Sequence, residues 1–130
     1  MTYLLDTNAV TALLAVKAPL FGRIRHHPSS LFKLSALVMH ELYYGVYYGQ
    51  RTNETLDRFD GVRFEILPFD EDDARRAAEI RARLRRLGTP IGPYDVLIAG
   101  QALSRGLTLI TRNVGEFSRI EELSVENWEA

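Results

Sequence analysis

The chain contains no cysteine among its 130 residues. This absence excludes disulfide bonds, thiolate-ligated zinc sites and cysteine nucleophiles, and it fits a reducing compartment. Lysine is scarce as well, since Lys17 and Lys33 are the only two and the other basic residues are arginines. The net charge of −1 supplies no overall basic field for binding nucleic acid. Arginine makes forked contacts with phosphate and with carboxylate, so its abundance does not choose between those partners.

Long apolar runs and targeting signals are also missing. No apolar stretch approaches the roughly 20 residues that span a bilayer. The N-terminus lacks a basic segment followed by an apolar run, and Asp6 comes almost at once. Internal repeats and low-complexity linkers are absent. We therefore expect a cytoplasmic protein without a membrane partner, built as a single domain over residues 1–130.

Several familiar catalytic motifs do not occur. There is no Walker loop, no G-x-G-x-x-G and no G-x-S-x-G. An aspartyl-phosphate mechanism is disfavoured, because Asn8 stands where a dehalogenase-type phosphatase has its second aspartate and no lysine follows Lys33. The histidines lack zinc-ligand spacing and are expected at the surface or with satisfied partners: His26, His27 and His40.

The pattern that is present alternates between short apolar strands and helices. We predict strands at residues 3–5, 31–34, 64–67 and 107–110, and around 124–127. Helices are predicted at 8–16, 19–26, 36–48, 53–59, 70–87 and 95–105, with a short one near 116–120. Strands separated by helices predict an α/β fold with a parallel sheet and helices on both faces.

Polar residues follow three of these strands. Asp6 follows the first strand, Ser35 the second, and Thr111, Arg112 and Asn113 follow the fourth. Ligands of open parallel sheets bind outside the carboxyl ends of the strands. We therefore expect these five residues along one edge of the sheet.

Two further acids lie on apolar helix faces. Glu41 shares a helical face with Leu37, and Asp95 shares one with Ile98 and Ala99. An unpaired ionised carboxylate in such a place would cost several kcal/mol or would take up a proton. Each acid therefore needs a partner.

Each acid also has a structural explanation. Asp6 can cap the first helix, although Thr7 or Asn8 can do so as well. Asp95 is favoured in a first helical turn by the helix dipole, and Glu41 can pair with a buried arginine. Taken jointly, the three acids can converge on one sheet edge, where their repulsion is relieved by a cation. Oxygen ligands without cysteine favour Mg²⁺ or Mn²⁺, the usual ions of phosphoryl chemistry.

The ordered motifs resemble those of the PIN-domain ribonucleases, and specifically the VapC toxins of type II toxin–antitoxin pairs. The resemblance runs through "LLDTNAV", "SALVMHELYYG", "GPYDVLIAGQAL", "LTLITRNVGEF" and "SVENW". It implies a three-layer α/β/α sandwich around a mostly parallel sheet of about five strands. It also implies a metal-dependent endoribonuclease that hydrolyses phosphodiester bonds in structured RNA such as tRNA.

The resemblance assigns roles to individual residues. Metal binding and cleavage fall on Asp6, Glu41 and Asp95, with Mg²⁺ or Mn²⁺ as the ion. Support for the site falls on Asn8, Ser35, Thr111, Asn113 and Glu116. Many PIN domains place a fourth acid where Asn113 stands here. That leaves two arrangements open: one metal suffices, or Glu116 contributes through a water molecule. Arg112 is the expected RNA phosphate contact.

Partners are implied by the same resemblance. They are a cognate VapB-type antitoxin, an RNA substrate, a second copy in a homodimer, and a larger hetero-oligomer with the antitoxin. Operator DNA would be reached only through the antitoxin. Tyr43, Tyr44, Tyr47 and Tyr48 are expected at an interface, with base stacking and ordinary packing as alternatives.

Two questions stay open at this level. The arginines between residues 75 and 86 either guide RNA phosphates or form a solvated face paired with Asp72, Asp73 and Glu79. The alternative function is a regulatory binding module that acts with its antitoxin and has little nuclease activity.

Overall fold

The computed structural model describes residues 1–49 and 53–130 and contains a sheet whose recorded strand pairs are all parallel. The strands are β1 (Tyr3–Leu5), β2 (Phe32–Ser35), β3 (Glu65–Leu67), β4 (Thr108–Ile110) and β5 (Val125–Glu126). Their order across the sheet is β3-β2-β1-β4-β5. The chain thus builds outward from β1 in one direction and then in the other, so the strand order reverses between β1 and β4. The predicted α/β class and five-stranded parallel sheet are confirmed.

Helices connect the strands and flank the sheet. They are α1 (Thr7–Leu14), α2 (Leu20–Arg25), α3 (Ala36–Tyr47), α4 (Asn53–Asp60), α5 (Glu71–Arg86), α6 (Pro93–Ser104) and α7 (Val114–Phe117), with a 3₁₀ turn at Ser29–Leu31. None of the helices among the described residues combines the length and apolarity needed to cross a bilayer. The predicted bounds agree with the observed ones to within two residues for most of these elements.

Two predicted helix bounds were wrong in ways that concern the site. α6 begins at Pro93 rather than at Asp95, because proline suits a first helical turn, where its missing N–H costs nothing. Asp95 therefore lies inside the first turn. α7 covers Val114–Phe117 rather than residues 116–120, with Asn113 in the N-cap position. Glu116 is consequently held within the short helix.

The register of the sheet fixes where the polar residues emerge. Leu5 of β1 pairs with Leu34 of β2 and with Ile110 of β4. The backbone N–H of Asp6 continues this pairing by donating to the carbonyl of Ile110 at 3.1 Å. Asp6, Ser35 and Thr111 therefore emerge at the carboxyl end of three adjacent strands. This confirms the predicted common edge.

α5 and α6 approach each other closely at one point. Gly100 of α6 lies on Ala77 of α5, and a Cβ built at Gly100 would come within 2.6 Å of the Ala77 backbone nitrogen. Any larger residue there would force α5 and α6 apart. This close contact keeps the C-terminal end of α5 beside the N-terminal turn of α6, which carries Asp95.

The C-terminal tail folds back over the sheet. Trp128 is fully buried, and its ring packs edge-on against Tyr3 and Phe32. Arg23 covers the indole with its guanidinium group, 4.3 Å from the ring centre. The tail is thereby anchored close to β1 and its following residue, Asp6.

Candidate active site

Asp6 is the most deeply buried acid of the sheet edge. Only 4% of the residue is exposed. Its Oδ1 accepts a hydrogen bond from the Ala9 backbone N–H at 2.8 Å, and its Oδ2 accepts one from the Thr111 hydroxyl at 2.5 Å. Burial raises the pKa of Asp6, and the bonds from Thr111 and Ala9 oppose that rise. Asp6 is thus the cap of α1 and a member of the acid cluster at once, and neither Thr7 nor Asn8 supplies the cap.

Thr111 connects Asp6 to the segment that contains Asn113. It is fully buried, and its hydroxyl oxygen accepts a hydrogen bond from the Asn113 backbone N–H at 3.0 Å while the hydroxyl donates to Asp6. The two bonds fix both the hydroxyl rotor and the Asp6 carboxylate. Thr111 therefore lies where its predicted supporting role requires.

Glu116 binds the loop before α6. Its Oε1 accepts a hydrogen bond from the Gly92 backbone N–H at 2.7 Å, and its Oε2 accepts one from the Asn113 side-chain amide. These bonds lower the pKa of Glu116, and the bond from Gly92 has the largest effect. Glu116 is therefore held ionised, and Asn113 positions this acid.

Asp95 faces Glu116 across the first turn of α6. The pKa of Asp95 is raised to about 6, first by burial and then by the charge of Glu116 and an interaction with its carboxyl group. The charges of Asp6 and Glu41 push the pKa in the same direction. Among the described residues, no lysine or arginine forms an ion pair with any of these four acids. The result is an acid cluster with an uncompensated negative charge.

An open cleft of about 320 Å³ gives access to this cluster. Its walls carry Glu41 from α3 and Asp95 from α6, together with Thr7, Asn8, Gly92, Pro93, Tyr94 and Ile98. Asn8 is exposed in this cleft, so it is placed to contact a ligand of the acids. The cleft, which we call the acid cleft, brings Glu41 and Asp95 together as the sequence predicts.

Ser35 and Arg112 take more peripheral places. Ser35 is buried, and its hydroxyl oxygen accepts from the Leu37 backbone N–H at 3.0 Å, which makes it the cap of α3. It does not line the acid cleft. Arg112 is exposed, and its charge lowers the pKa of Asp6. Its position beside the acids is compatible with a phosphate contact, whereas Ser35 acts through the start of the helix that carries Glu41.

One acid near the site was missed by the sequence reasoning. The charge of Glu129 raises the pKa of Asp6, so the C-terminal tail brings a further carboxylate towards the buried acid. Nothing in the local pattern signalled this, because the approach depends on Trp128 docking against β1. A tryptophan directly before an acid near the end of the chain is the only hint that the sequence carries.

A closed metal-ligand set is not formed by protein side chains alone. Within residues 1–49 and 53–130, no three histidine, aspartate or glutamate side chains are grouped closely enough to hold an ion by themselves. Mg²⁺, however, is usually bound by one or two carboxylates and keeps several water ligands. The uncompensated charge around Asp95 and the all-oxygen donor set fit such an ion.

Comparison with known proteins agrees with this geometry. The model of the PIN domain family matches residues 3–123. The chain belongs to the PIN-domain family. The tRNA(fMet)-specific endonuclease VapC of Salmonella typhimurium is 38% identical, and the match covers 98% of both chains. The enzyme of the same description from Shigella flexneri is 33% identical with the same coverage. The resemblance to VapC proteins is thus confirmed.

Solved structures of this PIN-domain family extend the comparison to assemblies. The chain matches VapBC2 of Rickettsia felis, bound to a promoter DNA fragment, with a TM-score of 0.89, 29% identity, and coverage of 98% of this chain and 99% of that one. DNA-bound VapBC of Salmonella typhimurium gives a TM-score of 0.88 at 36% identity, covering 98% of both chains. These neighbours are toxin–antitoxin complexes.

Proposed function

We propose that the chain is a metal-dependent endoribonuclease toxin that cleaves tRNA and is silenced by a cognate antitoxin. The observation that carries this proposal is the acid cluster, in which Asp6, Glu41 and Glu116 all act on the half-buried carboxyl group of Asp95. The tRNA substrate is carried over from the two VapC endonucleases, which match this chain over nearly its whole length.

The ion we propose is Mg²⁺ or Mn²⁺, held by Asp6 and Asp95 with Glu41 as a direct ligand or as the residue that orients the attacking water. Such an ion, when bound, supplies a water of lowered pKa and neutralises charge on the phosphate. Below about pH 6 Asp95 must release its proton to act as a ligand, and a cation would favour that release by Coulombic attraction.

The remaining residues position these groups. Thr111 holds the Asp6 carboxylate, and Glu116 holds Gly92 at the start of α6, so both aspartates are fixed before substrate arrives. Asn8 lies in the acid cleft and is available to hydrogen-bond a water or a substrate oxygen. Arg112 is placed to pair with a phosphate of the RNA. In this arrangement Glu116 replaces the fourth acid, and Asn113 orients it.

The direct test is cleavage of bulk bacterial tRNA by purified protein. We expect discrete cut products with Mn²⁺ or Mg²⁺ and none in EDTA. Asp6→Asn should lose cleavage in Mn²⁺ while retaining the circular dichroism spectrum of the parent. Cleavage that continues in EDTA, or an Asp6→Asn variant as active as the parent, would overturn the proposal.

The antitoxin and the dimer follow from the assemblies that the chain resembles. Their structures are VapBC complexes, two of them with DNA. The exposed tyrosines at the end of α3 offer an aromatic surface of the kind that is enriched at interfaces: Tyr43, Tyr44, Tyr47 and Tyr48. We expect the antitoxin from the neighbouring reading frame to suppress tRNA cleavage at equimolar concentration, and DNA binding to require that antitoxin.

A regulatory binding module with little nuclease activity is the second candidate. It is favoured by Asn113, which stands at the place of an acid in many PIN domains. A binding module need not bind metal through its carboxylates. Calorimetric titration with Mn²⁺ separates the two, because the nuclease requires an affinity that Asp6→Asn removes.

A further inference from the structure

A second cavity of about 280 Å³ lies beside the acid cleft, between α5 and the loop that leads into α6. Its floor is apolar and its rim is cationic; the lining residues are Arg81, Leu84, Arg85, Pro90, Ile91, Pro93 and Val96. A shallower cavity continues from it along the alanine face of α5 and shares Arg81, Arg85 and Val96. We call the two together the arginine groove.

The arginines of α5 divide into two groups by their partners. Arg83 makes a bidentate pair with Glu122, at 2.9 and 2.8 Å, and Arg76 pairs with Glu79 and Glu122. Arg81 and Arg85, by contrast, make no ion pair or hydrogen bond within the described part of the chain. Arg86 likewise makes no ion pair within the described part of the chain, but it lines a different cavity together with Glu79 and Glu122. The open question is therefore answered differently for different arginines: Arg76 and Arg83 pair with acids, whereas Arg81 and Arg85 are free to contact a ligand.

The spacing of Arg81 and Arg85 brings two like charges close together on the helix. Arg81 and Arg85 are four residues apart, so their guanidinium groups share one helical face, where like charges destabilise a helix slightly. Both are exposed, and nearby small residues such as Ala78 and Ala82 leave the space around them open. Two unneutralised cations over an open apolar floor form a surface that is complementary to a polyanion.

The arginine groove adjoins the acid cleft. Pro93 lines both cavities. Ile91 and Pro93 flank Gly92, whose N–H is bound by Glu116 of the site. Arg119 fixes the far side of the loop by donating to the Pro90 carbonyl at 2.9 Å. A chain that passes over Pro93 would therefore run from the acids directly into the groove.

We propose that the arginine groove holds the unpaired stretch of the RNA substrate next to the bond that is cut. An unstacked base would lie on the floor made by Ile91, Pro93 and Val96, and Arg81 and Arg85 would contact the flanking phosphates. Unstacked bases that lie on apolar or guanidinium surfaces are the usual basis of single-stranded RNA recognition. This inference rests on the proposed nuclease function and adds the surface that positions its substrate.

The test compares variants that lower the positive charge inside the arginine groove with a control that lowers it elsewhere on α5. R81Q/R85Q removes the groove cations, whereas Arg86→Gln removes an exposed arginine of the same helix that lines a different cavity, with Glu79 and Glu122. Ala78→Glu leaves both cations in place and adds an acid three residues before Arg81, where a pair can form. Binding of labelled bulk tRNA is measured in EDTA, and cleavage is measured separately in Mn²⁺.

We expect R81Q/R85Q to raise the Kd for tRNA about tenfold or more and to reduce the slope of log K against log salt by about 1.4, since each single-strand phosphate contact contributes about 0.7. Arg86→Gln should bind within about twofold of the parent, and Ala78→Glu should weaken binding in the same direction as R81Q/R85Q. Equal tRNA binding by R81Q/R85Q and Arg86→Gln would overturn the proposal that the arginine groove holds the RNA.

The outcomes separate this inference from the proposed function. If the parent cuts tRNA and the groove variants bind and cut like Arg86→Gln, the groove is wrong and the nuclease stands. If the parent does not cut in Mn²⁺ but its tRNA binding depends on Arg81 and Arg85, the nuclease proposal fails instead. If R81Q/R85Q keeps tRNA binding and loses dimerisation, as measured by light scattering, the groove is a protein interface and the inference is overturned.

Discussion

Asp95 and Glu116 both approach Gly92: a Cβ built there would lie 3.1 Å from Asp95 Oδ2 and 3.6 Å from Glu116 Oε1, and the pKa values of the two carboxyl groups shift in opposite directions. The pKa of Asp95 rises to about 6 because of burial and the charge of Glu116, while the bond from Gly92 lowers the pKa of Glu116. Below about pH 6, and with no cation present, the proton therefore resides on Asp95 rather than on Glu116. A bound cation would replace that proton, which is why this pair is central to the proposed mechanism.

Glu116 is expected to act by holding the start of α6. Glu116→Gln keeps the size of the side chain but weakens its bonds to Gly92 and Asn113, so we expect tRNA cleavage to fall about 10- to 100-fold, as is typical for residues that orient metal ligands. Glu121→Gln, an exposed neighbour, is the control and should cleave like the parent. An unchanged rate for Glu116→Gln would show that Glu116 does not support the site.

Gly92 leaves room for the Asp95 carboxylate. A Cβ at residue 92 would lie 3.1 Å from Asp95 Oδ2, so Gly92→Ala would displace that oxygen by a few tenths of an ångström. Because small misplacements of reacting groups are costly, we expect kcat to fall about tenfold or more with KM little changed. The control is Gly22→Ala on α2, where an added Cβ meets nothing within 4 Å. If both variants have the kcat of the parent, Asp95 is not confined as described.

The raised pKa of Asp95 predicts a pH-dependent stability of the metal-free protein. In the folded state Asp95 keeps its proton up to about pH 6. In the unfolded chain, where its pKa is 3.8, it loses that proton at lower pH. The folded state thus binds more protons within this window, and stability falls as pH rises through it. In EDTA, the Tm of Asp95→Asn should exceed that of the parent at pH 8, and the difference should shrink towards pH 4.

Mg²⁺ provides the complementary measurement. At pH 8 it should raise the Tm of the parent by preferential binding to the folded state, and it should not raise the Tm of Asp95→Asn. Asp72→Asn removes an exposed acid in the first turn of α5 and keeps the cluster, so its Tm should respond to pH and to Mg²⁺ like that of the parent. Equal responses of the parent and Asp95→Asn to both pH and Mg²⁺ would contradict the cluster.

Asp73 has a structural role that the sequence did not predict. One of the two open interpretations of the α5 arginines paired them with Asp73, but Asp73 pairs with Arg105 at 3.0 Å and accepts a hydrogen bond from Ser104. Burial alone would raise the pKa of Asp73, but these partners and the Asp70 N–H outweigh it, so the pKa is lowered. The residue thus ties the start of α5 to the end of α6.

Removing Asp73 should therefore unfold the protein more easily. Asp73→Ala leaves Arg105 without its buried partner, so we expect a loss of about 3–5 kcal/mol in the free energy of unfolding, measured with urea. The control is Glu65→Ala, which removes an exposed pair with Lys33 and should lower the free energy of unfolding far less, because water screens exposed ion pairs. Equal losses in the two variants would show that the Asp73 network adds nothing beyond a surface pair.

The sequence predicted those features that depend on local pattern and strand order. Asp6 and Thr111 could be placed together because parallel strands end at one edge, and Asp95 because proline and glycine mark the start of α6. The pairing of Glu116 with Gly92 depends on how the loop before α6 docks against α7, which no periodicity records. The approach of Glu129 to Asp6 depends in the same way on Trp128, and the division of the α5 arginines depends on where Glu122 lies.

The central claim is that Asp95 is required for cleavage because of its carboxylate and its place in the cluster. The most direct measurement is the single-turnover rate of tRNA cleavage in Mn²⁺ for the parent, Asp95→Asn and Asp72→Asn, three proteins that differ in one carboxylate at the first turn of a helix. The account predicts a loss of at least about 10³-fold for Asp95→Asn, with Asp72→Asn within about twofold of the parent. Parent-like cleavage by a folded Asp95→Asn variant would contradict the account.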